Sequence, residues 1–216
     1  MDTFSACLAF GPIAIYLIAL GAINLSGRPL VVTGTRETIS LGLALLGLAI
    51  VGPMQLFMPQ QAASWFGQLV WLLLVSFYLL CLVLAILLSR PRLVIYNVSH
   101  DDLRAALDDV ARLLDADAAW AGKALSMPLA HVHLQLDSFS PFSNASLVAT
   151  GDEQSFSGWR RLEAGLRERL AETHSTIRPH GLWLVAWGLG ILAALAFWVA
   201  EDPGTIVGGL DRLLNP

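Results

Sequence analysis

The sequence LLSRPRLVIYNVSHDDLRAAL, residues 87–107, passes from a long apolar run into a polar block that extends from Arg90 to His180. Apolar runs border this block on both sides, Phe66–Leu88 before it and Gly181–Ala200 after it. A run of about 20 apolar residues is long enough to cross a bilayer as a helix. The block is therefore interpreted as an aqueous domain inserted between two membrane helices.

The composition of the whole chain agrees with a membrane protein. Apolar residues make up 56% of the 216 residues and charged residues 14%, with a mean hydropathy of +0.63. Soluble domains carry charge on about a quarter of their residues. Ten of the thirteen Lys and Arg residues lie in the polar block. The net charge of −4 argues against nucleic acid as a partner, because nucleic-acid-binding surfaces are basic.

Two more apolar runs precede the block, so the sequence predicts an α-helical integral membrane protein with four transmembrane helices. The predicted boundaries, in chain order, are helices at about 4–25, 38–57 and 66–88 within residues 1–89, a domain at 90–180, a fourth helix at 181–200, and an extracytoplasmic or interfacial tail at 201–216.

The distribution of basic residues predicts the orientation. Four spans put residues 26–37 and 90–180 on the same side of the membrane, and twelve of the thirteen Lys and Arg residues lie in these two segments. Basic residues are enriched in cytoplasmic loops. We therefore expect a multi-pass protein of the plasma (inner) membrane, with both segments cytoplasmic and both termini outside.

The polar block carries the periodicities of a small α+β domain with the order β-α-β-β-β-α. Ser99 is a predicted N-cap, and Leu103, Leu107, Val110 and Leu114 lie on one helical face, with Ala106 and Leu113 beside it. The predicted elements are strands at 93–98, 120–126, 130–137 and 145–150 and helices from 99 and over 157–173. Helices on one face of a mainly antiparallel sheet are expected.

Candidate ligand residues follow from the alternation of the third predicted strand. His131, His133 and Asp137 occupy one face of that strand if its alternation is regular. A metal site needs further ligands, and no other residue is suitably spaced to supply them. We therefore expect a solvated sheet face, with no metal and no cofactor.

Two further sets of residues are candidates for contacts with partners. The second helix of the block has a basic exposed side that includes Arg160, Arg161 and Arg167, and the first helix has an acidic one. The two helices attract each other if adjacent, or their charged faces bind partners, or the charges are simply solvated. In the last span, Ala186, Gly190 and Ala194 form a small-residue stripe suited to helix–helix packing.

No motif in the sequence names a reaction, and the predicted spans have no ionisable acid or base in their interiors. The leading hypothesis is a membrane-anchored interaction or regulatory protein, not an enzyme, whose cytoplasmic domain binds a partner or ligand. Its expected partners are the bilayer and either other copies of the chain or other protein subunits. The alternatives are an oligomeric channel gated by the domain and a membrane enzyme acting near His131 and His133.

Overall fold

The structure is a computed structural model that describes residues 3–57, 69–139, 144–151, 153–171, 180–201 and 204. The short, uncharged segment 58–64, which the sequence predicts as the loop between the second and third helices, and most of the predicted tail at 201–216 lie outside these residues. The described helices are α1 (Thr3–Leu25), α2 (Gly34–Phe57), α3 (Leu69–Leu88), α4 (His100–Leu114), α5 (Phe156–Ala171) and α6 (His180–Glu201). The strands are β1 (Leu30–Thr33), β2 (Arg92–Tyr96), β3 (Ala119–Ala121), β4 (Ala124–Met127), β5 (Val132–Phe139) and β6 (Asn144–Ala149).

The chain divides into two compact units, which are described separately. The first, the helical unit, comprises residues 1–21, 38–88 and 182–216, and the second, the sheet unit, comprises residues 22–37 and 89–181. Three described helices are long and apolar enough to cross a membrane, over Thr3–Leu25, Gly34–Gly52 and His180–Glu201. The apolar stretch Leu72–Leu88 in α3 is shorter.

Small residues set the contacts within the helical unit. At Gly47 of α2, an added Cβ would collide with the backbone carbonyl of Leu8 in α1. At Gly188 of α6, an added Cβ would lie 2.9 Å from the carbonyl oxygen of Ala14 in α1. Helices in a bilayer gain little from burying apolar surface against each other, so close backbone approach at small residues is a principal source of their attraction. Helix α1 therefore packs closely against both α2 and α6.

A hydrogen bond joins α3 to α2. The hydroxyl of Tyr78 donates to the carbonyl oxygen of Gly42 at 2.6 Å. An added Cβ at Gly42 would lie 2.6 Å from Leu82 Cδ1, so the same glycine also lets α3 approach closely. Interhelical hydrogen bonds of this kind contribute about 0.6 kcal/mol on average in a membrane.

We expect Gly47→Ala to reduce the stability of the helical unit by about 1–3 kcal/mol, because the new methyl group requires α1 and α2 to separate. The matched control is Gly52→Ala in the same helix, where an added Cβ meets nothing within 4 Å. The measurement is the thermal unfolding midpoint of the full chain in detergent. Equal midpoints for the two variants would show that the contact is not a tight one.

The sheet unit contains a six-stranded antiparallel sheet with the order β1-β2-β6-β5-β4-β3 among the described residues. Strand β6 is one of its two central strands, and its residue Leu147 pairs with Leu93 of β2 on one side and with Leu136 of β5 on the other. The side chains that alternate onto one face of these strands are buried, as expected for a sheet covered on that face.

Helices α4 and α5 cover this face and complete the core. Leu103 and Leu107 of α4 and Leu162 and Leu166 of α5 are fully buried. Burial of each leucine contributes about 1.5–3 kcal/mol, so these two helices account for much of the stability of the sheet unit. Gly165 brings the helices together, because an added Cβ there would lie 2.8 Å from Val110 Cγ1.

The sheet differs from the sequence prediction at two places. Residues 26–37 were expected to form only a loop, but Leu30–Thr33 pairs with β2 as an edge strand. The predicted strand 120–126 is instead the hairpin β3–β4, which turns at Gly122 with a φ of +68°. The order after β2 is therefore helix, four strands, helix.

A side chain caps the N-terminus of α4, and the C-cap residue of this helix is bonded to a neighbouring loop. Ser99 Oγ accepts from the Asp102 backbone N–H at 3.1 Å, as the sequence predicted. At the other end Asp115, 2% exposed, accepts from the backbone N–H groups of Leu129 at 2.7 Å and of Asp117 at 2.8 Å. A third, longer bond of 3.3 Å comes from Ala130. This carboxylate ties the end of α4 to the loop between β4 and β5.

We expect Asp115→Ala to destabilise the sheet unit by about 2–3 kcal/mol, because it leaves backbone N–H groups without acceptors. Asp117→Ala is the control, since its side chain is exposed and its backbone N–H group is kept. Hydrogen exchange of the Leu129 amide in the full chain is the measurement. Unchanged protection in Asp115→Ala would contradict a structural role for this carboxylate.

Candidate functional site

The structure places His131 and His133 in different surroundings. The described strand β5 begins at Val132, and His131 precedes it with a φ of +48°, so it does not continue the strand alternation. His131 lines a cavity on the helical side of the sheet, whereas His133 pairs across the sheet with Ser126 on the other face. The two imidazoles therefore do not form a pair of ligands.

His133 belongs to a polar patch on the sheet face opposite α4 and α5. Its Nδ1 lies 2.9 Å from Ser126 Oγ. Asp137 is exposed, and its Oδ1 accepts from Gln135 Nε2 at 3.4 Å. Residues four apart on a strand are separated by roughly 13 Å, so Asp137 cannot orient the His133 ring as a catalytic carboxylate would. Among the described residues, no group of three or more His, Cys, Asp or Glu side chains could hold a metal ion.

The cavity beside His131 has a volume of about 160 Å³ and lies at the start of α5. Ser155 caps this helix, since its carbonyl oxygen accepts from Trp159 N–H at 3.0 Å and its Oγ accepts from Gly158 N–H at 3.3 Å. The cavity is lined by Leu114, Leu129, Ala130, His131, Ser155, Ser157, Gly158 and Arg161. The polar part of this lining comes from the His131 imidazole, two serine hydroxyls and the Arg161 guanidinium.

A larger groove of about 410 Å³ runs between α4 and α5. Its residues are Val110, Leu113, Leu114, Gly165, Glu168 and Arg169, so the floor is apolar and one rim is charged. Leu114 belongs to both the groove and the cavity, which makes them neighbours on one surface. We call this combined surface the α4–α5 face.

Exposed apolar side chains mark the α4–α5 face. Leu113 is 77% exposed on the groove and Leu129 is 66% exposed on the cavity. Contiguous exposed apolar surface is typical of protein-binding sites, and these two leucines lie on the two adjoining depressions of the α4–α5 face. The sequence placed Leu113 only beside the apolar stripe, and the helical period alone does not show how far α5 covers it.

The basic residues predicted as candidates divide into two groups. Arg167 Nη2 binds Glu163 Oε1 at 2.8 Å and approaches the Val31 carbonyl oxygen at 3.4 Å, so it ties α5 to β1. Arg160 and Arg161 are exposed and make no ion pair with any residue that the structure describes. Attraction between the acidic and basic helices was one of three interpretations of their charges, and the described residues show one such ion pair, in which Arg169 Nη2 lies 3.5 Å from Asp109 Oδ2.

The small-residue stripe of α6 is exposed within the described part of the chain. Ala186, Gly190 and Ala194 are all exposed, and an added Cβ at Gly190 meets nothing within 4 Å. The contact of α6 with α1 instead uses Gly188, on another face of the helix. A role for the stripe in helix–helix packing stays a prediction.

No protein-family model, curated protein or solved structure matches this chain. The candidate sites therefore rest on their own geometry.

We expect Leu113→Gln to change the stability of the sheet unit by less than about 0.5 kcal/mol, because the side chain is mostly solvated. In contrast, Leu107→Ala in the same helix removes a fully buried side chain and should lower the free energy of unfolding of the sheet unit by about 2–5 kcal/mol. Amide hydrogen exchange of the sheet unit in the full chain compares the two. A large loss of amide protection in Leu113→Gln would show that Leu113 belongs to the core of the sheet unit.

Proposed function

We propose that this protein is a membrane-anchored interaction protein, in which a domain built around the α4–α5 face binds a protein partner. The observation that carries the proposal is the exposed Leu113 on an apolar groove of about 410 Å³. A leucine exposed to water there gives up the roughly 1.5–3 kcal/mol that burial would supply. Contact with a partner recovers this free energy.

The membrane arrangement that goes with this function has four spans, formed by α1, α2, α3 and α6. The three long apolar helices support it, and so does the composition of α3, whose stretch Leu72–Leu88 is apolar. The antiparallel pairing of β1 with β2 also supports it, because a strand from the first loop can join the sheet only from the same side of the membrane. The positive-inside rule then favours the cytoplasm for this sheet.

Labelling with a membrane-impermeant maleimide tests this arrangement. The chain has two cysteines, Cys7 and Cys81, which are first replaced by alanine. In intact cells we expect a cysteine that replaces Gln60, in the second predicted loop, to be labelled. A cysteine that replaces Lys123, which is exposed in the β3–β4 turn, should be labelled only after the cells are permeabilised. Labelling of Lys123→Cys in intact cells would overturn the orientation.

Photo-crosslinking in native membranes tests the binding function. A photoreactive phenylalanine analogue at Leu113 should give protein adducts, since this side chain lies on the proposed contact. The control is the same analogue at Lys123, which is also exposed but lies in the β3–β4 turn, away from the α4–α5 face. If the yield of protein adducts from position 113 is no higher than from position 123, the proposed binding function is contradicted.

A further inference from the structure

We infer that the partner of the α4–α5 face is a second copy of this chain, so that the helical layers of two sheet units pack against each other. This inference rests on the proposed function, because it names the occupant of the same surface. It is carried by the shape of the face and by the distribution of charge over its two helices.

The shape of the α4–α5 face is self-complementary. Leu113 projects from it with 77% of its surface exposed, and beside that leucine runs an apolar groove lined by Val110, Leu114 and Gly165. A two-fold interface requires that each copy offer both the projection and the groove that receives it. Leu113 of either copy then fills the groove of the other, and both leucines become buried.

The charges of the two helices are complementary to each other. Helix α4 carries four Asp residues against two Arg, and α5 carries four Arg residues against two Glu. Opposite charge across an interface guides docking, and like charge opposes it. A two-fold arrangement with α4 lying across α5 of the other copy therefore gives two favourable contacts, whereas α4 against α4 gives repulsion.

Several exposed charged groups on α4 and α5 form no ion pair with a described residue, and one of them, Arg161, lines the α4–α5 face. Asp101 on α4 and Arg160 and Arg161 on α5 form no ion pair with any described residue, and all three are exposed. Other charges are already engaged, such as Asp108, which binds Arg112 at 2.9 Å and accepts from Trp120 Nε1 at 3.2 Å. Arg104 on α4 and Glu168 on α5 are also exposed and form no ion pair with a described residue, so pairing between copies depends on the net charge of each helix, acidic for α4 and basic for α5.

Crosslinking between two differently tagged copies in the same membrane tests the contact. Both copies have Cys7 and Cys81 replaced by alanine, one carries Leu113→Cys and the other Glu168→Cys, across the groove. Because each chain holds one cysteine, a short bismaleimide can join them only between copies. We expect a strong band that contains both tags, and a weak one when Lys123→Cys replaces Leu113→Cys.

Charge reversal tests whether α4 meets α5. The variant Asp101→Arg with Asp102→Arg makes α4 basic and leaves the Asp109–Arg169 pair intact, and the variant Arg160→Glu with Arg161→Glu makes α5 acidic; all four positions are exposed. In copies that share the same reversal, the crosslink should fall by about tenfold, because like charges face each other. In a mixture of the two variants both contacts are again between opposite charges, and the crosslink should return.

The outcomes separate this inference from the proposed function. Failure of the mixed variants to restore the crosslink, or a yield at Leu113→Cys no higher than at Lys123→Cys, overturns the self-association. If the photoreactive analogue at Leu113 captures only a different protein, the surface binds a partner but not its own copy. If it captures nothing, both proposals fail.

Discussion

The pairing of β1 with β2 is the contact on which the organisation of the sheet unit depends. Leu30–Thr33 comes from the loop between α1 and α2, yet it forms a register of four residue pairs with a strand more than fifty residues away in sequence. Asn97, directly after β2, strengthens the join by donating through Nδ2 to the carbonyl oxygens of Ile23 and Arg28. The loop is therefore part of a folded domain, and both ends of that domain's main segment continue into apolar helices.

Side-chain contacts between Glu37, at the start of α2, and β2 form a second connection of this kind. Glu37 accepts from Arg92 Nη2 at 3.0 Å and from the hydroxyl of Tyr96 at 3.2 Å. Arg92 and Tyr96 are the two ends of β2, so the strand is held to the loop by its backbone and by these side chains. A carboxylate in the first turn of a helix is also favoured by the helix dipole, which gives Glu37 two reasons for its position.

Much of the fold could be predicted from the sequence, because burial imposes a period on helices and strands. The apolar runs and the stripe of α4 predicted their helices to within a few residues. Strand β1 was missed because four residues are too few for alternation to stand out, although Val31, Val32 and Thr33 are β-branched. The β3–β4 hairpin was missed because its turn, Gly122-Lys123, lies inside an apparently continuous run.

The candidate site was less predictable, since it depends on contacts between elements distant in sequence. Alternation put His131 and His133 on one face, but the turn that begins at Pro128, where the His131 N–H donates to the Pro128 carbonyl oxygen, interrupts that alternation. The groove requires α4 and α5 to be neighbours, and the sequence offered this only as one of three interpretations of their charges. Gly165 was a usable signal, because a glycine inside a helix often marks close packing.

The strand order also determines when the sheet can form during protein synthesis. The ribosome produces β1 about sixty residues before β2, which at roughly 5–20 residues per second is a delay of some seconds. During that time α2 and α3 are made while β1 has no strand to pair with. Strand β6, one of the two central strands, comes later still, so the sheet cannot close until nearly all of the domain has left the ribosome. A chain truncated before residue 144 would leave the edge of β2 unpaired, and an exposed strand edge can pair with another chain.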